Sequence, residues 1–273
     1  MSPELDLLTF NHVEYTYPCS QRPAVQNLTL SIPQYRRCAV IGRNGCGKTT
    51  LFRLANGLYR PQRGVIQWQG KPLRYQRQAL NQLRYQVGLV FQNPEQQLVA
   101  TTVAEDISYG LCNLGLSDSE VAQQVQKALL DFDLINLADA PINYLSLGQK
   151  KRVSIADVMV LQPQLLLLDE PTAYLDPQQV RNFRLMLETI EKAGTTVVLA
   201  THNLDFVEAW ADWVIVMDEG QVVLTGTPET VFSQEQKMAD LGLGVPLVVE
   251  FLKAIQDEFN ATQLQQIRQG LRD

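Results

Sequence analysis

The 273-residue chain predicts an α/β fold in which a parallel sheet flanked by helices is joined to a set of antiparallel strands. Three observations carry that prediction. Short, fully apolar runs recur, in CAVIG, VGLVFQ, LLLLDEP, TTVVLATHN and WVIVMDEGQVVLTG, and strands covered on both faces read this way. A loop of the form GxxxxGK[ST] follows the first run and leads into the helical stretch TTLFRLANGL. Ahead of it, LLTFNHVEYTYP and AVQNLTLSIP alternate apolar and polar residues and are broken by Pro18, Pro23 and Pro33; GVIQWQG at 64–70 is similar, and all three read as antiparallel strands.

The remaining elements follow in order. Between Asn93 and Leu161 the sequence is mostly helical; in SDSEVAQQVQKALLDF, Val121, Val125, Leu129 and Phe132 fall on one stripe. This insertion is a candidate helical subdomain. The tail from Gly226 contains PLVVEFLKAIQDEF, where Val248, Leu252, Ile255 and Phe259 keep helical spacing and Pro246 suits a helix start. Such a helix either packs on its own domain or joins two copies. The division expected is one main domain over 5–225, with its helical part at about 93–161, and a C-terminal extension over 226–273.

Composition narrows the functional classes. With 23 Lys plus Arg against 29 Asp plus Glu the net charge is −6 and the pI near 5.1, which argues against a general nucleic-acid binder. The basic residues Lys71, Arg74, Arg77 and Arg84 read as a solvated face. Cysteines 19, 38, 46 and 112 form no CxxC pair, so neither zinc nor a redox motif is indicated and a reducing compartment fits. The N-terminus, MSPELD, lacks the basic start of a signal peptide. No apolar run approaches the roughly 20 residues of a spanning helix. Any membrane link is therefore expected through a partner.

The chemistry is concentrated in two anchors. In Gly42-Arg43-Asn44-Gly45-Cys46-Gly47-Lys48-Thr49 the glycines let backbone N–H groups curl around a polyphosphate at a helix N-terminus. Lys48 is placed for the β- and γ-phosphates, Thr49 for Mg²⁺ and Thr50 for a further phosphate contact. Cys46 inside this loop predicts that thiol alkylation blocks hydrolysis and that ATP protects. The second anchor is the strand LLLL ending in Asp169-Glu170. Asp169 suits the magnesium shell and Glu170 the polarisation of an attacking water.

Between the anchors, Leu145-Ser146-Leu147-Gly148-Gln149-Lys150-Lys151-Arg152 forms an S-x-x-Q capping box at a helix start. This segment resembles the LSGGQ-type signature, and the chain is identified as a member of the ABC-transporter ATPase subunits. The resemblance covers about residues 5–230. It implies a P-loop NTPase fold of the ABC ATPase type, with an antiparallel β subdomain, a RecA-like core, a helical subdomain and a short C-terminal helical extension. It further implies that Ser146, Gly148 and Gln149 face the γ-phosphate of ATP held by a partner. Tyr17 matches the aromatic that stacks on adenine, Gln92 the Q-loop residue touching Mg²⁺ and the nucleophilic water, Asp176 the D-loop, and His202 the switch histidine at the γ-phosphate. His12 has no such place and reads as an ordinary strand residue. Leu147 stands where the usual signature has its first glycine, so its backbone must keep a conformation that a β-carbon tolerates.

FQNPEQQL at 91–98 resembles the Q-loop of energy-coupling-factor importers and their cobalt-type, CbiO-like ATPases, as do NLGL and LSLGQKKRVSIA. That likeness implies a head-to-tail homodimer, or a pair with a paralogous ATPase, binding two Mg·ATP on the cytoplasmic face of the membrane. It implies an integral membrane coupling subunit docked at Asn93 to Gly110, a membrane subunit that binds substrate, and no nucleic acid. Cobalt is the cargo it favours, with nickel or a vitamin such as biotin as alternatives. Two other classes compete: a soluble ABC ATPase acting on nucleic acid, and a nucleotide sensor that does not hydrolyse.

Overall fold

The computed structural model describes residues 6–18, 20–255, 259 and 261–272. Cys19, the N-terminal reading at 1–5 and the outer domain limits at 5 and 273 lie outside the described residues. The chain divides into two compact units, one running up to Leu73 and resuming at Val198, the other spanning Arg74–Val197.

In the first unit, β1 (Asp6–Tyr15), β2 (Val25–Pro33), β4 (Arg63–Trp68) and β5 (Lys71–Pro72) make an antiparallel sheet in the order β2-β1-β4-β5. Alternation explains its one buried face: Leu28, Leu30 and Ile32 of β2 are buried while Thr29 and Ser31 between them are exposed. The turn between β4 and β5 places Gln69 and Gly70 at φ 49° and 74°, the pattern of a tight hairpin whose twist matches its strands.

The same unit holds β3 (Cys38–Ile41), parallel both to β9 (Trp213–Asp218) and to the end of β8 (Thr196–Ala200). All four residues of β3 are buried. WVIVMDEGQVVLTG, grouped by sequence with the apolar core strands, is a hairpin instead. Glu219 and Gly220 turn at φ 44° and 80°, and β10 (Gln221–Gly226) returns antiparallel to β9. The Gln26 N–H donates to the Gly220 carbonyl at 2.9 Å, tying this hairpin to β2. Helix α1 (Lys48–Ala55) follows β3, and α7 (Leu204–Trp210) follows β8.

The tail adds α8 (Pro228–Phe232), α9 (Glu235–Asp240), α10 (Leu247–Ala254) and α11 (Ala261–Arg272). Pro246 is the N-cap of α10 and lies outside its first turn. The stripe expected through Phe259 ends early, because Ile255 already caps the helix. Arg268 of α11 donates to the buried Glu208 carboxylate of α7 at 2.7 Å, and the Leu247 N–H donates to Asp205 Oδ1 at 2.7 Å, so the tail is fastened to the helix after β8.

In the second unit, β6 (Val87–Val90) and β7 (Leu165–Asp169) pair in parallel, in register from Val87 with Leu165 to Val90 with Leu168, and are buried throughout. Helix α2 (Arg77–Gln86), unforeseen in the sequence, buries only Leu83 and carries Arg77 and Arg84. Then come α3 (Val103–Tyr109), α4 (Asp118–Asp131), α5 (Leu147–Met159) and, beyond β7, α6 (Pro177–Lys192). Capping boxes start α3, α4, α5 and α6, at Thr102, Ser117, Ser146 and Asp176. On α4 the buried stripe is Val125, Ala128 and Leu129, with Phe132 closing it.

Candidate active site

The first unit builds the phosphate loop from an absence of side chains. A β-carbon on Gly42 would stand 2.3 Å from the Met217 carbonyl oxygen and 2.6 Å from Cys46 Sγ; on Gly47 it would stand 2.5 Å from the Ala24 carbonyl oxygen. Gly45 has open space around it, but its φ of +82° suits glycine. Packing thus requires two of these glycines and backbone conformation the third. The loop opens α1, whose first residue, Lys48, is buried. Its Nζ donates to the carbonyls of Gly42 at 2.7 Å and Arg43 at 3.3 Å. The ammonium is therefore held over the loop.

Around the loop the structure gathers four of the other sequence-predicted residues. The Tyr17 hydroxyl is 3.0 Å from Thr50 Oγ1, and its ring stands edge-on to Tyr15 and Tyr59. Thr50 is buried, so its hydroxyl is committed to this contact. Thr49 occupies the first turn of α1. His202 is exposed and lines, with Gly42, Arg43 and Asn44, a cleft of about 510 Å³.

Gly242, Leu243 and Gly244 of the tail line the same cleft, a neighbourhood for which the sequence holds no motif. The expected reactivity of Cys46 needs correction. The thiol is buried beneath Gly42, and burial pushes its pKa up against the opposing effect of Lys48, which disfavours the exposed thiolate that alkylation requires.

The second unit holds the remaining residues. Asp169 ends β7 and Glu170 follows; both are buried, at 4% and 6% exposure. Glu170 has φ 47°, a left-handed backbone unusual for a residue with a side chain. The capping box of α5 forms as its spacing implies, with Ser146 Oγ accepting from the Gln149 N–H at 3.3 Å and Gln149 Oε1 from the Ser146 N–H at 2.8 Å. Leu147 is the first residue of α5 and is 40% exposed, so its side chain points outward from an ordinary helical backbone. Gly148, one position on, packs more closely: a β-carbon there would lie 2.9 Å from Gln179 Nε2, the end of a flexible side chain that would have to shift. Asp176 caps α6 by accepting from the Gln179 N–H at 2.8 Å. Gln92 is exposed, just past β6.

Two residues escaped the sequence reading here. Gln97 fastens the segment after Gln92 to α5: its Oε1 accepts from the Phe91 N–H at 3.3 Å, and its Nε2 donates to the Ser154 carbonyl at 2.7 Å and Asp157 Oδ2 at 3.1 Å. Burial raises the Asp157 pKa to about 7, opposed by the Gln97 hydrogen bond and reinforced by Asp106. Lys151, buried on α5, donates to three backbone carbonyls beyond β7. An amide among several glutamines and one lysine of a Lys-Lys-Arg run carry no pattern that marks them in advance.

A glycine-cradled lysine and a buried carboxylate pair at a strand end are the parts of a P-loop ATPase. Among the described residues there is no cluster of three metal-ligating side chains. This donor set fits a magnesium ion, which takes one or two carboxylates and draws its other ligands from phosphates and water.

The family model described as ABC transporter matches residues 25–173. A relative from Nostoc sp. is 61% identical over 244 residues, 89% of either chain. The energy-coupling factor transporter ATP-binding protein EcfA of Methanocaldococcus jannaschii is 38% identical over 86% of this chain and 85% of its own. The solved structure of cbiO1 from Clostridium perfringens, described as part of the ABC transporter complex cbiONQ, has 38% identity and a TM-score of 0.77, covering 87% of this chain and 95% of that one. The chain belongs to the ABC transporter family, as an ATP-hydrolysing subunit of the energy-coupling factor type.

Proposed function

We propose that this ATPase energises a membrane importer for cobalt ions, working as a head-to-tail dimer on the cytoplasmic face. The observation that carries the cargo is the likeness to cbiO1 over nearly the whole chain. Nickel or a vitamin such as biotin would use the same motor. No helix among the described residues is long and apolar enough to cross a membrane, so coupling and substrate-binding subunits supply that part.

In this reading Lys48 and the N–H groups of Gly42, Asn44, Gly45, Cys46 and Gly47 bind the β- and γ-phosphates. Thr50 adds a phosphate contact through its backbone, since its hydroxyl serves Tyr17. The ring of Tyr17 takes the adenine face. Thr49, Asp169 and Gln92 hold Mg²⁺, which when bound offsets charge on the transferred phosphoryl group. Glu170 orients the attacking water and accepts its proton, and His202 positions the γ-phosphate. Ser146, Gly148 and Gln149 meet the γ-phosphate bound by the partner, and Asp176 borders the dimer interface.

The domain reading is one ATPase domain over 5–225 with an extension from 226 that packs on α7, and a coupling subunit that engages Asn93 to Gly110. The test is isolation of the native complex from detergent-solubilised membranes, with identification of its integral subunits and uptake assays using labelled Co²⁺, Ni²⁺ and biotin. Co²⁺ uptake that depends on ATP hydrolysis is the expected result. Uptake of only nickel or biotin would reassign the cargo and leave the motor intact, whereas recovery without membrane subunits would remove the reading.

A further inference from the structure

We propose that Lys151 is a positioning residue for hydrolysis, fixing the backbone that carries Glu170 to the signature helix α5. The inference rests on the reading of Glu170 as the residue that activates water. Its basis is geometric. Lys151 is 7% exposed, and its Nζ donates to the carbonyls of Glu170 at 3.3 Å, Pro171 at 2.9 Å and Ala173 at 2.6 Å. An ammonium has three donors, and here all three are matched by carbonyl acceptors of one short segment. A buried ammonium left without partners is costly, so the segment and the helix are bound to move together.

The segment it grips is the one whose shape needs an external hold. Glu170 and Tyr174 both adopt left-handed backbones, at φ 47° and 64°, and neither is glycine. Such conformations persist when the surroundings over-determine them. Within the loop, the Ala173 N–H donates to the Glu170 carbonyl at 3.2 Å and the Leu175 N–H to the Thr172 carbonyl at 3.2 Å. Lys151 adds the link to another element. A second tie runs alongside it: Gln179, which caps α6 with Asp176, lies against Gly148 of the same helix α5. The helix that begins at Ser146 therefore sets both the aim of the Glu170 carboxylate and the start of α6.

Arg152, the neighbouring cation on α5, is paired at 2.8 Å with Asp133 beyond the end of α4. Burial lowers the Lys151 pKa to about 8, with Glu170 opposing the shift, so the ammonium form still predominates near neutrality. If the side chain served only to fill space, a methionine of similar length would serve as well.

The experiment compares four full-length proteins with wild type: Lys151→Met, Lys151→Arg, Glu170→Gln and the double variant Lys151→Met with Glu170→Gln. Mg·ATP affinity, kcat and thermal stability are measured for each. The expected result is a loss of about tenfold or more in kcat for Lys151→Met with ATP affinity within about threefold of wild type, and recovery of most of the rate in Lys151→Arg. Because Lys151 acts through Glu170, the double variant should turn over no more slowly than Glu170→Gln alone. Three outcomes overturn the proposal: a wild-type kcat in Lys151→Met, a parallel loss of ATP affinity, or losses that multiply in the double variant. Should Lys151→Met fail to fold, Lys151→Gln carries the same comparisons. Wild-type turnover by Glu170→Gln would instead remove the role of Glu170, independently of how the Lys151 variants behave.

Discussion

The phosphate loop and the segment from Asp169 to Asp176 reach unusual backbone conformations by opposite means. In the loop, glycine supplies the freedom: Gly42 and Gly47 leave no space for a β-carbon, and Gly45 sits at φ +82°. In the segment, Glu170 and Tyr174 take positive φ while keeping their side chains, and Lys151 from α5 holds three of its carbonyls. The loop encodes its shape locally, whereas the segment borrows its shape from a helix. The first device makes binding robust to movement elsewhere; the second ties the backbone of Glu170 to any movement of α5.

The largest effect expected from breaking this contrast is on the chemistry. Glu170→Gln keeps the backbone and removes the carboxylate proposed as the base, so turnover should fall by roughly 10²–10⁴-fold with ATP binding retained. Phosphate release at the wild-type rate would contradict it. Next comes Gly47→Ala, whose methyl would meet the Ala24 carbonyl. It should weaken ATP binding and cost about 2–4 kcal/mol of stability, because backbone rather than a flexible side chain must give way. Equilibrium binding and denaturant melts read both.

A third prediction sharpens the account of α5. The folded-state pKa of Asp157 is raised from 3.8 to about 7, so between those values the folded chain holds a proton that the unfolded chain has lost. Stability therefore falls as pH rises through this window, and the penalty is complete above it. Asp157→Asn should gain on the order of 2 kcal/mol at pH 8 and progressively less toward pH 4. Equal gains at both pH values would refute the assignment. Leu147→Gly is expected to have the smallest effect on turnover, within about threefold, because Leu147 already has a helical backbone and an outward side chain. Its cost should be a stability loss of about 1 kcal/mol from glycine in the helix.

Much of this was legible in advance, and the reasons are physical. A phosphate loop depends on residues a few positions apart, so spacing alone marks Gly42 to Thr49. The S-x-x-Q box at Ser146 and the apolar runs of β3, β6, β7 and β8 are equally local. The hairpin at Glu219 is missed when WVIVMDEGQVVLTG is grouped whole with the core strands, although Asp-Glu-Gly interrupts it; the positive φ values of Glu219 and Gly220 mark the turn. Helix α2 was hidden because a helix with one buried residue leaves little apolar periodicity.

The sequence by itself determined the fold class, the family and the chemical groups available: a lysine in a glycine loop, adjacent acids at a strand end, a capped signature helix. Those follow from short-range backbone preferences and hydrophobic periodicity, which are properties of neighbouring residues. Tertiary structure decided what holds them. It placed Lys151 on the carbonyls of 170, 171 and 173, Gln97 on Ser154 and Asp157, and Gly242 of the tail beside Arg43 in the cleft that His202 also lines. A buried lysine or glutamine finds whichever acceptors the fold brings within about 3 Å, and that pairing is set by packing of segments distant in sequence.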